Sequence, residues 1–230
     1  PRIHSSLRQR HHTRAVLMAT ATDSNSTGIA VELQSVSHTF KSRPVFHPVT
    51  AHVPAGSECL IRGTNGSGKS TLGRILAGEL TPADGQITWL HEAQAIEAEV
   101  MCMRSQRVSP VTALHPQLTI AELIAFQGQF RPWSVAPSDL LNEAGLAKHM
   151  GKAYRDLSSG MQQRVKLALA LAAHNELIVL DEPSANLDAD GIAWYRESLQ
   201  ALRGEATLIV CSNDRSEDFI SPDITIELNF

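Results

Sequence analysis

Nine consecutive residues combine glycines, a lysine and hydroxyl side chains at a spacing that suits phosphate binding. The stretch consists of Gly63, Thr64, Asn65, Gly66, Ser67, Gly68, Lys69, Ser70 and Thr71. It fits G-x-x-x-x-G-K-[ST], in which glycines let successive backbone N–H groups turn towards a phosphate while the lysine and the hydroxyl complete the charge balance. We expect Lys69 to reach the β- and γ-phosphates of a nucleotide and the Ser70 hydroxyl to ligate Mg²⁺.

The segments on either side of this stretch support that interpretation. Residues 58–62 have the character of a short buried strand, and apolar residues recur at helical spacing downstream, at Leu72, Ile75, Leu76 and Leu80. A loop between a strand and a helix places a bound phosphate at the helix N-terminus, where the dipole and unpaired N–H groups attract anions. The alternative is a glycine-rich turn without a ligand, which both flanks disfavour.

A second candidate group follows an apolar run at residues 177–180, where Asp181 and Glu182 are adjacent. In α/β sheets, ligands collect at the carboxyl ends of strands. We expect Asp181 to hold Mg²⁺ directly or through water, and Glu182 to act as the general base on the water that attacks the γ-phosphate. Two acids ending a strand in solvent are the alternative, but a nucleotide site requires an acid on its metal side.

The remaining pattern predicts an α/β fold that positions these groups. Strands are predicted at residues 29–36, 49–53, 58–62, 86–90, 100–106, 177–180, 207–211 and 224–228, the last at a sheet edge. Apolar stripes at 120–130 and 140–146 predict an inserted helical subdomain at about 107–157. Near-continuous apolar strands indicate a mainly parallel, covered sheet preceded by an antiparallel β subdomain. Phe40 follows the first strand, and its position alone favours the core over stacking on adenine.

Size and cysteine usage limit the class of protein. The chain has 230 residues, 43% of them hydrophobic, which suits one large domain or a core with an inserted subdomain. No apolar run reaches the roughly 18 residues of a transmembrane helix. Cys59, Cys102 and Cys211 each lie in an apolar strand-like run without C-x-x-C spacing, as expected for free thiols in a reducing cytosol.

Charge is distributed unevenly along the chain. Residues 1–28 contain four arginines and one aspartate, which leaves 16 basic and 23 acidic residues in the remainder. The acidic body argues against nucleic acid as a partner. We expect residues 1–28 to be a disordered tail, either dispensable or preceding a translation start at Met18; an organellar transit peptide is a less favoured alternative.

The order of the motifs resembles that of the ATP-binding-cassette (ABC) ATPases from residue 29 to the C-terminus. The motifs are the phosphate-binding stretch, Gln106, the Leu-Ser-Ser-Gly-Met-Gln-Gln-Arg segment at 157–164, the Asp181–Glu182 pair and the segment 184–188. The resemblance implies a P-loop NTPase domain over residues 29–230, with ATP and Mg²⁺ as ligands. It also implies that ATP joins two copies of the chain head to tail.

The resemblance further implies roles for individual residues. Ser158, Ser159 and Gly160 would cap the γ-phosphate bound on the phosphate-binding stretch of a second copy. Gln106 would contact Mg²⁺ or the attacking water and sense a membrane partner. Phe40 would stack on adenine, which reverses the preference for the core, and Asp188 would belong to a loop that connects the two ATP sites.

Three residues depart from the family pattern. Ser159 stands where glycine is usual and Met161 where glutamine is usual; both are tolerable because Ser158 and Gly160 remain. Asn213 occupies the place of a histidine that contacts the γ-phosphate. Asparagine donates a hydrogen bond but carries neither a proton nor a positive charge, so we expect hydrolysis through Glu182 to be slow.

These features favour an ATPase subunit of an ABC transporter, peripheral on the cytoplasmic face of a membrane and paired with a separate permease. Four stretches look most similar to small bacterial cassettes related to the haem-exporter ATPase of cytochrome c maturation: residues 126–133, the Ser-Ser-Gly-Met segment, residues 191–195 and the Ser-Asn-Asp strand end at 212–214. The alternatives are a non-transport cassette ATPase that remodels a protein or ribonucleoprotein complex, and a regulatory ATP-binding module with little turnover.

Overall fold

The structure is a computed structural model that describes residues 27–228. The elements follow in the order β1 (Ala30–Phe40), β2 (Arg43–Val53), β3 (Glu58–Arg62), α1 (Lys69–Leu76), β4 (Asp84–His91), β5 (Gln94–Ile96), α2 (Ala98–Arg104), β6 (Ser105–Val108), α3 (Ile120–Gln127), α4 (Pro137–Glu143), α5 (Ser159–Ala172), β7 (Leu177–Asp181), α6 (Ala189–Leu202), β8 (Thr207–Ser212) and β9 (Ile224–Glu227). Short 3₁₀ turns at Ala147–His149 and Tyr154–Asp156 connect α4 to α5. The predicted tail lies almost entirely outside the described residues.

The N-terminal part of the described chain forms an antiparallel sheet with strand order β2-β1-β4-β5. β1 lies between β2 and β4, and Val31 pairs with Val53 of β2 on one side and with Trp89 of β4 on the other. Alternating residues of β1, including Val31 and Leu33, are buried, as expected for a sheet with one face in the core. The predicted antiparallel β structure is therefore confirmed.

A second sheet is parallel throughout and has the order β6-β7-β8-β3-β9. Within this sheet, β3 lies between β8 and β9, and β9 is at the edge as predicted. Parallel pairing brings the carboxyl ends of β3, β7 and β8 to the same edge of the sheet. The α/β class with a mainly parallel sheet is confirmed.

Side chains of β7 show how both faces of the parallel sheet are covered. Leu177 and Val179 pack in a core cluster with the apolar face of α1 and the antiparallel sheet. Ile178 and Leu180 pack in a second cluster with α5 and α6. Because successive side chains of a strand point to opposite faces, the continuous apolar run fills two cores at once.

The predicted strand at residues 100–103 is wrong, because this segment lies in helix α2 and the strand begins only at Ser105. Met101 is the residue of this run that is buried, and it packs beside Gly78. Cys102 is exposed, contrary to its expected place in a buried strand, whereas Cys59 and Cys211 are buried; all three are free thiols. Helix formation places a single side chain of the run against the core and leaves its neighbours in solvent.

Helices α3, α4 and α5 follow β6 and precede β7, and α4 packs on α5. Thr119 begins α3 with a capping box: its hydroxyl accepts from the Glu122 N–H, and the Glu122 carboxylate accepts from the Thr119 N–H. α3 ends at Gln127, so Phe130 lies beyond it and is exposed, which differs from the predicted stripe. Among residues 27–228, no helix has the length and apolar character to cross a bilayer.

Candidate nucleotide-binding site

The loop between β3 and α1 holds the phosphate-binding stretch in a conformation that requires glycine. Gly68 precedes α1 with a φ of 96°. A Cβ atom at Gly68 would lie 2.8 Å from Cδ1 of Phe46 on β2, so the position excludes any side chain. The antiparallel sheet therefore supports the loop from one side while α1 directs its N-terminus towards it.

Lys69 is folded over this loop and is almost fully buried. Its Nζ donates to the carbonyl oxygens of Gly63 at 2.7 Å and Thr64 at 3.0 Å. The Ser67 hydroxyl is also buried and has no hydrogen-bond partner within the described part of the chain. An ammonium with a third N–H to donate and an unpaired buried hydroxyl therefore lie in the same loop, as an anion site needs.

Asp181 ends β7 beside the first turn of α1. The Ser70 hydroxyl hydrogen-bonds to the carboxylate of this buried residue. Burial raises the pKa of Asp181, although the Ser70 hydrogen bond and the positive charges of Arg107 and Lys69 oppose the shift. Hydroxyl and carboxylate oxygens are the hard ligands that Mg²⁺ prefers, so Ser70 and Asp181 fit this ion.

Glu182 follows with a left-handed backbone, at a φ of 47°, and its N–H donates to the carbonyl oxygen of Cys211 at 2.9 Å. Such a conformation costs energy for a non-glycine residue and turns the chain sharply away from the strand. Glu182 lines a cleft of about 440 Å³ together with Ser70 and Asp181. The structure thus brings together three of the predicted site residues. The cleft is also lined by Arg74, Glu79, Arg107, Pro110 and Val111.

Gln106 does not lie in this cleft. It is inside β6, paired with Ile178, and it lines a separate groove of about 260 Å³ that also contains Leu123. Side chains alternate along a strand, so Arg107 is the residue of β6 that lines the cleft. The structure therefore does not support the expected contact between Gln106 and Mg²⁺. Sequence reasoning missed Arg107, although strand alternation through residues 105–108 could have indicated it.

The Ser158–Gly160 segment lies at the start of α5. The Ser158 hydroxyl caps the helix by accepting from the Met161 N–H at 3.3 Å. A Cβ atom at Gly160 would lie 2.7 Å from the carbonyl oxygen of Asn186, so this position also excludes a side chain. Ser159 follows Ser158 on the same exposed turn and lines the same polar pocket of about 480 Å³.

Asp188 lines this second pocket too, where it caps α6. Its carboxylate accepts from the Gly191 N–H at 2.9 Å and forms an ion pair with Arg164, a residue that sequence reasoning did not single out. The hydrogen bond from Gly191, followed by that from Arg164, lowers the pKa of Asp188. The residues predicted to bind ATP therefore line two separate pockets: Ser70 lines the cleft, and Ser158 to Gly160 line the second pocket with Asp188.

Two further predicted residues are exposed. Phe40 is 50% exposed at the end of the β1–β2 hairpin, with its ring edge-on to His38 at a centroid distance of 4.7 Å. The preference for the core that its sequence position alone suggested is therefore wrong. Asn213 follows β8 and precedes Asp214, which has a φ of 64° and forms an ion pair with Arg62.

The chain is similar in sequence and fold to known proteins. A family model described as ABC transporter matches residues 46–185. The chain is 35% identical over 190 residues to Nod factor export ATP-binding protein I of Rhizobium meliloti (strain 1021), covering 79% of this chain and 56% of that protein. It is 34% identical over 175 residues to the cytochrome c biogenesis ATP-binding export protein CcmA of Paramagnetospirillum magneticum, covering 74% of this chain and 81% of that protein.

A solved structure of a bacterial Atm1-family ABC exporter with ATP bound matches with a TM-score of 0.74 at 23% identity, covering 93% of this chain and 40% of that one. This likeness concerns the fold. The chain spans a little more than half the length of the Nod factor export relative. By the family model and by its similarity to the CcmA relative, the chain belongs to the ABC transporter family.

Proposed function

We propose that this chain is the ATP-binding and ATP-hydrolysing subunit of an ABC transporter and that ATP joins two copies to drive separate membrane subunits. The observation that carries the proposal is the division of the site residues between two pockets. The cleft contains Ser70, Asp181 and Glu182, whereas the Ser158–Gly160 segment lies in a pocket of its own. Either pocket alone is half a site.

In the cleft, ATP would place its phosphates on the N–H groups of the loop and on Lys69. Ser70 and Asp181 would hold Mg²⁺, which when bound neutralises charge on the β- and γ-phosphate oxygens. Glu182 would orient the attacking water and accept its proton. The exposed ring of Phe40 is available to stack on adenine.

A second copy would complete this site by placing its Ser158–Gly160 segment over the terminal phosphate. The N–H groups at the start of α5 and the neighbouring hydroxyls are suitable donors to an anion. Ser158 and Ser159 are exposed, so they are accessible to a second copy. Hydrolysis would remove the γ-phosphate that both copies contact and so favour separation.

The groove that contains Gln106 is the candidate docking surface for a membrane subunit. Phe126 and Phe130 border it, 54% and 68% exposed, with their rings edge-to-face at 5.1 Å between centroids. Exposed paired aromatic rings beside a groove are typical of a binding surface. We place a cytoplasmic segment of the membrane subunit here, because the names of the relatives describe ATP-binding export proteins. Gln106 would contact that segment rather than Mg²⁺.

The test replaces the proposed general base. Glu182→Gln should bind ATP and form a dimer that persists in light scattering after chromatography, because hydrolysis no longer separates the copies. Adding Lys69→Ala should abolish ATP binding and leave a monomer. A Glu182→Gln protein that stays monomeric at saturating ATP and Mg²⁺ would contradict the proposal.

Asn213 favours one second candidate, a regulatory ATP-binding module with little turnover. The residue directly follows β8 and cannot transfer a proton. Tight ATP binding by the wild-type protein without phosphate release would identify this function. Steady phosphate release that increases with a co-purified membrane subunit would exclude it.

A further inference from the structure

Arg107 is a cation in the cleft that the proposed roles of the other residues do not use. It lies on β6 with its side chain 15% exposed, and its Nε donates to Oε2 of Glu79 at 2.8 Å. Glu79 follows α1, and Arg74 of α1 approaches the same oxygen at 3.9 Å. The Arg107–Glu79 pair therefore forms one wall of the cleft, on the β6 side.

Charges in and around the cleft show what this wall faces. The carboxylates are Glu79, Asp181 and Glu182, with Asp218 acting on Asp181 from outside the cleft, and the cations are Lys69, Arg74 and Arg107. The positive charge of Arg107 reaches Asp181 and lowers its pKa against the effect of burial. Arg107 is thus close enough to interact electrostatically with the residue proposed to bind Mg²⁺.

The ion pair itself does not explain the arginine. Glu79 is 36% exposed, and partly exposed ion pairs contribute little to stability. A guanidinium has five donors in a fixed fork that matches phosphate oxygens, and one ion-paired Nε leaves the other N–H groups to donate. An arginine that points into a phosphate-binding cleft is therefore better explained by a phosphate ligand.

The residues that share the cleft with Arg107 indicate which phosphate it would bind. The helix N-terminus and Lys69 bind the phosphates nearest the loop, and the chain of phosphates then extends towards Asp181 and Glu182. Pro110 and Val111 also line the cleft, and their side chains have no group to donate. Arg107 is the residue of β6 that lines the cleft, together with Asp181 and Glu182, and has side-chain donors.

We propose that Arg107 binds the terminal phosphate of ATP through its remaining N–H groups and that the Glu79 carboxylate weakens this contact, because it holds the guanidinium and repels the phosphate. This inference rests on the proposed function and adds to it a residue that distinguishes ATP from ADP. ADP lacks the phosphate that Arg107 contacts, so only ATP gains from the residue. Removing Arg107 and removing the charge of Glu79 should then have opposite effects.

The test measures binding of ATP and ADP by calorimetry with Mg²⁺. Arg107→Ala should weaken the affinity for ATP about tenfold and change the affinity for ADP less than twofold, as expected for the loss of one charge-assisted hydrogen bond. Glu79→Gln should tighten ATP roughly threefold, because the carboxylate that repels the phosphate is gone. Arg107→Lys should recover part of the loss but not the fork-like contact.

Arg104→Ala is the matched control. Arg104 is the last residue of α2, directly before β6, and it pairs with Glu176 outside the cleft. Its ATP affinity should equal that of the wild type. The inference would be overturned if Arg107→Ala lost equal affinity for ATP and ADP, or if Glu79→Gln bound ATP more weakly than the wild type. Glu79→Gln keeps the test decisive if Arg107→Ala unfolds. A wild-type protein that binds no ATP would instead refute the proposed function.

Discussion

Gly160→Ala should impair one of the two pockets of the proposed ATP site and so reveal what that pocket contributes to dimerisation. The new Cβ would lie 2.7 Å from the carbonyl oxygen of Asn186, whereas ordinary contacts begin at 3.4 Å. The two segments must therefore move apart by about 0.7 Å, the difference between those distances. The contacted atom belongs to the backbone of a residue with a φ of 65°, so no side-chain rotation relieves the clash. Overpacking of this kind costs roughly 1–3 kcal/mol.

The displacement falls on the pocket of α5, which Ser70, Asp181 and Glu182 do not line. We therefore expect Gly160→Ala to bind ATP as a monomer with wild-type affinity. In the Glu182→Gln background, however, the ATP concentration that produces half-maximal dimer should rise at least about tenfold, since 1.4 kcal/mol corresponds to a factor of ten. A binding titration measures the ATP affinity of the monomer. Light scattering at a fixed protein concentration across an ATP series measures the ATP concentration for half-maximal dimer.

Gly151→Ala is the control for the glycine-to-alanine change itself. Gly151 lies between the two 3₁₀ turns that precede α5, and a Cβ there would meet no atom within 4 Å. Its dimer should form at the ATP concentration of the parent protein. If Gly160→Ala also dimerises at that concentration, the Ser158–Gly160 segment is not part of the shared site.

Two further predictions concern stability and the last step of the reaction. The Glu58 carboxylate is fully buried and accepts hydrogen bonds from Arg203 and from the N–H groups of Ile220 and Ser221. Glu58→Ala should therefore lower the free energy of unfolding by about 3 kcal/mol and the Tm by roughly 6–12 °C in calorimetry. A shift in Tm below about 2 °C would contradict this. Asn213→His should raise the rate of phosphate release at least about tenfold by providing a group that can carry a proton. An unchanged rate in Asn213→His, with Glu182→Gln inactive, would show that the asparagine does not slow hydrolysis.

The elements around the phosphate-binding loop were predictable because pattern and packing agree there. Residues 59–61 and 177–180 are apolar without interruption, and both faces of the parallel sheet that contains them are covered. The segment at 100–103 was not predictable in this way. A short apolar run fits a strand or a buried helical turn equally well, and only the packing of Met101 against the residues after α1 decides between them.

The same limit applies to the site residues. Asp181 and Glu182 follow a long apolar run, so the end of the strand, and with it the position of both carboxylates, was clear. Gln106 was assigned by its place in the order of motifs, yet its side-chain direction depends on where β6 begins. A shift of one residue along a strand moves a side chain to the other face. That register made Arg107 the residue of the cleft.

The place of β3 in the parallel sheet determines when, during synthesis, the phosphate-binding loop can begin to bind ATP. β3 carries the phosphate-binding loop, and its neighbours are β8 and β9, so Glu58 pairs with Leu208 and Cys59 with Ile224. The Leu228 N–H also donates to the Arg62 carbonyl at 2.8 Å, directly before the loop. On the ribosome β8 and β9 are made after the loop. The loop therefore acquires its supporting strands only once the chain has been synthesised through Leu228, and ATP cannot stabilise the nascent fold before then.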